Sequence, residues 1–261
     1  MAIDEWLLDG AVARASGGAA LRFYRWQRPT LSLGFHQRRL EPHWRALAAA
    51  GVIDLVRRPS GGQAVLHTGD LTYALVWPSP PGRRPEAYRM ACRWLREGFA
   101  ELGLPLAYGT KGAGAGSGNC FATATAADLV HGCGAKRIGS AQLWRRGRLL
   151  QHGSILLDPP TDLWRQVFGV DPPVLPALPL GREDLILRLK QAAMRWLPLA
   201  AVTDLEGPQE LTLKELPLSG GEWVEISARL GRYRPLPLPE IETSPEATMD
   251  WATWPRDMPK G

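Results

Sequence analysis

Between Cys120 and Ser154 the chain carries side chains that can do acyl-transfer chemistry. Cys120 is one of three cysteines among 261 residues, and Lys136 lies sixteen residues further on. A thiolate can accept an acyl group from a thioester, and a nearby ammonium stabilises both the thiolate and a developing oxyanion. Small residues at 139–141 and 153–154 let a substrate approach the backbone. This segment is therefore a candidate for acyl-transfer chemistry.

A second string of small residues, at positions 57–67, reads Arg-Arg-Pro-Ser-Gly-Gly-Gln-Ala-Val-Leu-His. On its own the glycine pair predicts a tight hairpin turn. The whole string closely resembles the Arg-Arg-x-Ser/Thr-Gly-Gly-x-Ala-Val-x-His signature of the lipoate–protein ligase and octanoyltransferase family. Residues 136–142, 151–154, 1–5 and 31–37 resemble other motifs of this family in the same chain order. Gln63 is a departure, because the family usually has Gly or Arg at that position.

The resemblance implies an α+β fold with a mixed, largely antiparallel sheet flanked by helices, shared with biotin ligases and related to class II aminoacyl-tRNA synthetase cores. It also implies a catalytic pair, Cys120 and Lys136, in which Lys136 meets the carbonyl of the acyl group. The acyl pocket is then expected to be formed by Arg58, Ser60, Gly61, Gly62, Ala64, His67, Gly139, Ser140, Ala141, His152 and Gly153. No structural metal ion is expected, because the chain has no CxxC and no His/Cys cluster with zinc spacing.

The position of Cys120 distinguishes among the activities found in this family. ATP-dependent ligases need no cysteine, whereas the LipM class of octanoyltransferases resembles this chain in having a Cys-Phe step ahead of the lysine motif. A related amidotransferase also carries a cysteine near this point. Cys92 shares the apolar face of a predicted helix, so a packing role is expected for it. Cys133, in a predicted turn, is the rival nucleophile.

Together these features predict a protein N-octanoyltransferase that needs no cofactor. It would move an octanoyl group from acyl carrier protein to Cys120, and then to a lysine of a lipoyl-type acceptor such as the glycine cleavage H protein or an E2 subunit. One alternative is an ATP-dependent lipoate–protein ligase, which would use ATP and magnesium. Another alternative is a non-catalytic module that binds acyl groups without transferring them.

Hydrophobic spacing predicts the elements that must position these residues. Helices are predicted at 1–15, 43–50, 85–103, 161–168, 183–197 and 222–230, and strands at 21–26, 30–35, 52–56, 64–67, 71–77, 128–131, 137–144 and 149–157. Residues 109–118 are almost only Gly, Ala, Ser and Thr, so this segment is predicted to be mobile. Residues 1–200 are predicted to form the catalytic domain, and residues 201–261 a Pro-rich extension that is partly helical or disordered.

Composition narrows the class of protein further. No run of eighteen apolar residues could span a membrane and the first residues lack a signal peptide, so a cytoplasmic protein is expected. The formal charge of +5 favours acidic partners, which fits acyl carrier protein, while binding to nucleic acid or to a membrane is not expected. The arginine doublets at 57–58, 83–84 and 145–146 are interpreted mostly as solvated surface.

Overall fold

Two sheets organise the part of the chain that the structure, a computed structural model, describes: residues 1–11, 19–109, 119–121, 128–197, 215 and 217–233. The strands are β1 (Ala20–Tyr24), β2 (Thr30–Leu33), β3 (Asp54–Arg57), β4 (Val65–His67), β5 (Asp70–Trp77), β6 (Ala107–Tyr108), β7 (Asp128–Val130), β8 (Lys136–Arg145) and β9 (Arg148–Leu156). The helices are α1 (Ala2–Trp6), α2 (Pro42–Ala49), α3 (Arg84–Glu101), α4 (Thr161–Phe168), α5 (Arg182–Trp196) and α6 (Gly220–Ser227).

The larger sheet is antiparallel throughout and the smaller sheet is mixed. Within the described residues the larger sheet has the strand order β1-β5-β9-β8-β7-β6. The smaller sheet has the order β3-β2-β4, with β2 parallel to β3 and antiparallel to β4. Helices pack against both sheets, so the expected α+β class with a mixed, largely antiparallel sheet is confirmed. In these ranges no helix has the length and apolar character needed to cross a membrane.

One face of the larger sheet packs against α3 and α5. Every residue of the inner strand β5 is buried, and its alternate side chains Leu71, Tyr73, Leu75 and Trp77 enter this core. Alternation of this kind is what a strand requires, because successive side chains point to opposite faces. Cys92 is fully buried in the same core, where burial raises the pKa of its thiol to about 12. Cys92 therefore has the packing role expected for it.

The opposite face of the larger sheet is covered in two parts. At one end, Leu8 in a π-helical turn at Leu7–Ala11 packs against Ala74 and Leu150. At the other end lies the smaller sheet with α2 and α4, whose core includes Leu66 and Trp164. A cleft remains between the smaller sheet and this face, and most of the predicted site residues line it.

Most predicted elements are confirmed to within a few residues, and the exceptions have local causes. The first α-helix ends at Trp6, and in the π-helical turn that follows Gly10 has a φ of 125°, which a regular helix cannot contain. Residues 12–15, the rest of that predicted helix, lie outside the described ones. Strand β8 begins one residue earlier than predicted, at Lys136, and the two-residue strand β6 was not predicted. Residues 109–118 were predicted to be mobile, and all of them after Gly109 lie outside the described residues. The tail from 234 to 261 also lies outside them.

The predicted helix near 222–230 is present as α6, and it packs on α1. A capping box joins Ser219 and Glu222 at its start. Ile226 is buried in a small core that includes Trp6, and the Nε1 of Trp6 donates a hydrogen bond of 2.8 Å to Glu225. The described part of the C-terminal region is therefore attached to the N-terminal helix. The division at residue 200 stays a prediction.

The interpretation of the arginine doublets as solvated surface is wrong for the pair at 57–58 and for Arg145. The pair at 57–58 is buried beside the cleft. Arg145 donates hydrogen bonds of 3.1–3.2 Å to the fully buried carboxylate of Glu5. Arg232 and Tyr233, which follow α6, donate to the same carboxylate at 2.9 and 3.0 Å. Arg57, Arg58 and Arg145 therefore organise the fold instead of facing solvent.

Candidate active site

A β-bulge places Lys136 on the cleft side of the larger sheet. Asp128 pairs with Gly139, but Val130 pairs with Lys136 where an unbroken register would pair it with Arg137. Because side chains alternate between the two faces of a strand, this shift of one residue moves Lys136 onto the face shared by Asp128 and Gly139. A Cβ added at Gly139 would lie only 3.0 Å from the Cε of Lys136. The glycine therefore provides the space that the lysine side chain occupies.

Backbone pairing holds Cys120 beside this lysine. Ala64 forms a parallel bridge with Asn119, and its carbonyl oxygen accepts a hydrogen bond of 2.9 Å from the backbone N–H of Cys120. Phe121, which follows, is buried in the core of the smaller sheet. The Nζ of Lys136 lies 3.4 Å from the Sγ of Cys120 and 2.6 Å from its carbonyl oxygen. The thiol and the amine singled out from the sequence are thus in contact.

Asp128 completes the surroundings of Lys136, and the sequence analysis missed it. Its Oδ1 accepts a hydrogen bond of 2.8 Å from Nζ, and the two side chains are 5% and 3% exposed. The ring of Phe121 lies beside the ammonium, with its centroid 5.0 Å from Nζ. One signal was present in the sequence, because Asp128 is an acidic residue at the start of the strand that precedes the strand of Lys136. Without the bulge, that signal places the two side chains on opposite faces.

The glycine segment after β3 forms the opposite wall of the cleft. The buried guanidinium of Arg58 donates hydrogen bonds to the carbonyl oxygens of Ser32, Gly61 and Gln63, at 2.8, 2.9 and 2.6 Å. Burial lowers the pKa of Arg58 to about 10, so it stays charged at neutral pH. Gly62 has a φ of 94°, and a Cβ there would lie 2.8 Å from Nη2 of Arg58. Arg58 therefore fixes the loop whose glycines line the cleft.

A buried chain of hydrogen bonds supports the wall formed by β4. The Nε2 of His67 lies 2.8 Å from the Oγ of Ser32, and its Nδ1 lies 3.0 Å from Oδ2 of Asp70. The same Oδ2 accepts a hydrogen bond of 2.7 Å from Ser154. Trp26 stacks on the imidazole, with ring centroids 4.4 Å apart. Ser32 and Asp70 thus hold the two ring nitrogens of His67, and these partners of His67 were not predicted.

His152, on β9, is the second histidine of the cleft. Burial lowers the pKa of His152 to about 3, with Asp4 opposing this shift and Arg58 reinforcing it. Its Nε2 is hydrogen-bonded to the hydroxyl of Ser60. At neutral pH this ring is therefore uncharged, as suits a buried side chain that has no counter-charge in contact among the described residues.

The structure brings the predicted site residues together, although they come from distant parts of the chain. Cys133, the rival nucleophile, is exposed in the turn between β7 and β8 and is not among the residues that line the cleft. Ser60, Ala64 and Lys136 lie directly behind the lining, against His152 and Cys120. The remaining predicted residues line the cleft itself: Arg58, Gly61, Gly62, His67, Cys120, Gly139, Ser140, Ala141, His152 and Gly153.

Comparison with known sequences points to a single family. Residues 1–173 match the family model of the lipoyl protein ligase A/B catalytic domain. The octanoyltransferase LipM of Exiguobacterium sibiricum is 32% identical over 252 residues, which is 90% of this chain and 91% of that protein. The LipM proteins of Symbiobacterium thermophilum and Kyrpidia tusciae are 42% and 39% identical over 171 and 170 residues. Those two matches span 60% of this chain and about three fifths of each relative, 60% and 61%.

Solved structures share the fold at low sequence identity. Lipoate-protein ligase A bound with ATP superposes with a TM-score of 0.64 at 18% identity, covering 88% of both chains. A bipartite lipoate protein ligase from Thermoplasma acidophilum, studied with its E2 lipoyl domain, gives 0.60 at 17% identity, covering 88% of this chain and 87% of that chain. At such identities the likeness concerns the fold alone.

Proposed function

Since the chain belongs to the family of lipoyl protein ligase A/B catalytic domains, we propose that it is an octanoyltransferase of lipoate biosynthesis that works through a thioester on Cys120. One observation carries the proposal: the Nζ of Lys136 lies 3.4 Å from the Sγ of a cysteine that lines the cleft. The names of the relatives described above support the same activity. A ligase that activates free lipoate with ATP has no use for a thiol at this point.

In the first half-reaction the thiolate of Cys120 attacks the thioester carbonyl of an octanoyl carrier. A new S–C bond forms, the old S–C bond breaks, and the carrier leaves as a thiolate that takes a proton from water. Exchange of one thioester for another is nearly balanced in energy, so this step requires no ATP. The ammonium of Lys136 stabilises the negative charge that develops on the carbonyl oxygen.

In the second half-reaction a lysine amine of the acceptor protein attacks the thioester on Cys120. The amide C–N bond forms, the C–S bond to Cys120 breaks so that Cys120 leaves as a thiolate, and the amine nitrogen gives up its proton to water. Because an amide is more stable than a thioester, this step is strongly downhill. Lys136 serves again as the donor to the oxygen that becomes negative, and as the cation beside the returning thiolate.

The partners follow from this chemistry and from charge. We propose an acyl carrier protein as donor, since its acidic surface complements a net charge of +5, and a lipoyl domain as acceptor. The acceptor assignment is supported by the T. acidophilum ligase, which was studied with an E2 lipoyl domain. A thiol nucleophile needs a reducing compartment, so the proposal includes a cytoplasmic location and no cofactor.

Intact-mass measurement after mixing with octanoyl-acyl carrier protein tests the proposal. The wild-type protein should gain the mass of one octanoyl group, and hydroxylamine should remove it. Cys120→Ser should gain no hydroxylamine-labile group, whereas the matched control Cys133→Ser should behave as wild type, because Cys133 is exposed and outside the cleft.

Each alternative predicts a different outcome, either in this experiment or in a parallel one with free lipoate, ATP and an acceptor. A labile adduct on Cys120→Ser shows that Cys120 is not the nucleophile. Lipoylation of an acceptor from free lipoate and ATP, without any adduct, identifies an ATP-dependent ligase. Acyl binding with neither reaction identifies a non-catalytic module.

A further inference from the structure

Among the residues that the structure describes, three acceptors surround the ammonium of Lys136, one for each of its N–H groups. Its Nζ lies 2.6 Å from the carbonyl oxygen of Cys120, 2.8 Å from Oδ1 of Asp128 and 3.4 Å from the Sγ of Cys120. An ammonium has three donors, so these contacts use all of them. A substrate carbonyl must therefore replace one of the three acceptors. The longest contact, to Sγ, is the one that acylation of the sulfur itself weakens.

Burial makes the carboxylate of Asp128 important for the charge of Lys136. The side chains are 3% exposed for Lys136 and 5% exposed for Asp128. A buried ammonium that has no counter-charge tends to lose its proton, because the low-dielectric surroundings disfavour the charged form. Asp128 is held in place by pairing with Gly139, on the same hairpin that carries Lys136. Distance, burial and backbone pairing thus couple the two side chains.

We propose that Asp128 is a positioning residue that keeps Lys136 charged and directed at the Sγ of Cys120. This deepens the proposed function and rests on the role of Cys120 as nucleophile. Lys136 then acts as a fixed cation that keeps its own proton through both half-reactions. The proton of the Cys120 thiol passes to water before transfer begins, and the departing carrier thiolate takes its proton from water.

Within the described ranges, three ionisable groups that interact with Cys120 or Asp128 keep one charge state at neutral pH. Arg58 interacts with Cys120, and burial lowers the pKa of Arg58 only to about 10. Tyr88 and Cys92, on α3, interact with Asp128, and burial raises the pKa of both, to about 12 for Cys92. These three groups therefore do not titrate in the neutral range in which the Asp128–Lys136 pair is tested; His67 and His152, which also line the cleft, are the same in all variants compared.

Alkylation of Cys120 by iodoacetamide as a function of pH measures the thiolate without acyl transfer. The experiment uses Cys133→Ser protein, because Cys133 is exposed, and locates the label by peptide mass mapping. Asp128→Asn keeps the size and an acceptor oxygen but removes the charge. We expect the midpoint of the alkylation profile to rise by about one pH unit, which makes alkylation at neutral pH about tenfold slower. A midpoint that stays in place or falls contradicts the proposal.

The same substitution in a Lys136→Met background separates positioning from a purely structural role. Without the ammonium, the carboxylate of Asp128 is only a negative charge near the thiolate. Asp128→Asn should then lower the midpoint or leave it in place, which reverses or abolishes the effect seen with Lys136 present. An equal rise in both backgrounds shows that Asp128 acts independently of Lys136, and overturns the proposal.

A matched control variant and a second pair of variants test whether a changed alkylation profile results from loss of the fold. Asp54→Asn, at a half-buried aspartate paired with Arg28 on the smaller sheet, should leave the alkylation profile unchanged. Asp128→Glu keeps the charge and should stay within about threefold of wild type at neutral pH. If circular dichroism shows that Asp128→Asn is unfolded, Asp128→Ser replaces it in the comparison with Asp128→Glu. Equal alkylation of the Glu and Ser variants contradicts the proposal.

Octanoyl transfer, measured on the same preparations, separates this inference from the proposed function. If wild type gains no octanoyl group, the proposed function fails while the alkylation profiles still decide the role of Asp128. If wild type is acylated, Asp128→Asn should form the thioester about tenfold more slowly at neutral pH and recover toward wild type at higher pH. Wild-type rates of both alkylation and thioester formation in folded Asp128→Asn would overturn the inference alone.

Discussion

At the residue scale, the contact between Cys120 and Lys136 depends on the absence of a side chain at Gly139. A Cβ at this position would lie 3.0 Å from Cε and 3.3 Å from Nζ of Lys136. We expect Gly139→Ala to displace the end of the lysine side chain while the protein stays folded, because that flexible end can move more easily than backbone. The rate of octanoyl-thioester formation on Cys120 should fall by about tenfold, since the displaced cation stabilises the oxyanion less well.

Gly132 provides the matched control for this prediction. It lies in the exposed turn between β7 and β8, and a Cβ there would meet nothing within 4 Å. Gly132→Ala should keep the wild-type rate and the wild-type unfolding midpoint in urea. Full activity in Gly139→Ala would mean that the lysine can occupy other positions without loss.

A second prediction at the residue scale concerns His152, which should lower the stability of the folded protein in acid. Burial lowers the pKa of His152 to about 3, whereas the unfolded chain titrates near its ordinary value of 6.5. Between these values the unfolded state binds a proton that the folded state excludes, so stability decreases as the pH falls. From about pH 7 to about pH 5 the loss due to this one group is about 2 kcal/mol.

Urea unfolding of wild type and His152→Gln at both pH values measures this loss. The variant should lose about 2 kcal/mol less than wild type between the two conditions. His36→Gln, at an exposed position, should follow wild type. An equal loss in wild type and His152→Gln would show that the folded protein accommodates the charged ring.

At the scale of the elements, the sequence identified the segments of the site but not all of their neighbours. The glycine-rich string at 57–67 and the lysine motif at 136–142 were recognisable because their residue types and spacing are unusual. The fold class was predictable because period-two and helical patterns are local properties. The register between β7 and β8 was not predictable, because a bulge depends on pairing with another strand. Asp128 was missed for this reason.

The buried arginines were missed for a related physical reason. A charged doublet on a strand is normally solvated, since burying an unpaired charge is costly. Arg58 is an exception because the backbone carbonyls of Ser32 on β2 and of Gly61 and Gln63 in the glycine loop satisfy its guanidinium. The loop conformation that presents the carbonyls of Gly61 and Gln63 cannot be recognised from the local pattern of hydrophobic residues. Arg145 is paired with Glu5, which lies 140 residues away in the chain.

The attachment of the C-terminal region to α1 can be tested at the scale of the elements. The fully buried carboxylate of Glu5 accepts hydrogen bonds from Arg145, Arg232 and Tyr233, so it joins β8 and the C-terminal region to α1. Glu5→Gln leaves these donors facing an amide without charge. Because Arg232 is about half exposed and can turn to solvent, we expect a loss of about 2 kcal/mol in the free energy of unfolding, below the usual cost of breaking a buried pair.

Urea unfolding followed by tryptophan fluorescence measures the change. The control is Glu86→Gln, at an exposed site in the first turn of α3, which should alter the free energy by less than about 0.5 kcal/mol. A Glu5→Gln protein as stable as this control would show that the arginines contribute nothing to the attachment of α6.

At the scale of the whole molecule, each of the two sheets contributes different residues to the site. The larger sheet carries Lys136, Asp128 and His152, and the smaller sheet with its glycine loop carries Arg58 and His67. Cys120 lies between them, bonded to the backbone of Ala64 and in contact with Lys136. Neither sheet alone contains the reactive pair and the opposite wall, so the site exists only in the assembled fold.

Net charge is the property of the whole molecule that should govern its encounter with the donor. A net charge of +5 favours attraction of an acidic donor, such as the acyl carrier protein proposed above, over distances that added salt screens. We expect kcat/KM for octanoyl-acyl carrier protein to fall severalfold as salt is raised from low to several times physiological strength. The uncharged thioester octanoyl-pantetheine carries the same reacting bond without the acidic surface, so its kcat/KM should change little. Equal salt dependence for both donors would mean that salt acts on the cleft itself, whereas salt independence of both would mean that the net charge does not guide the donor.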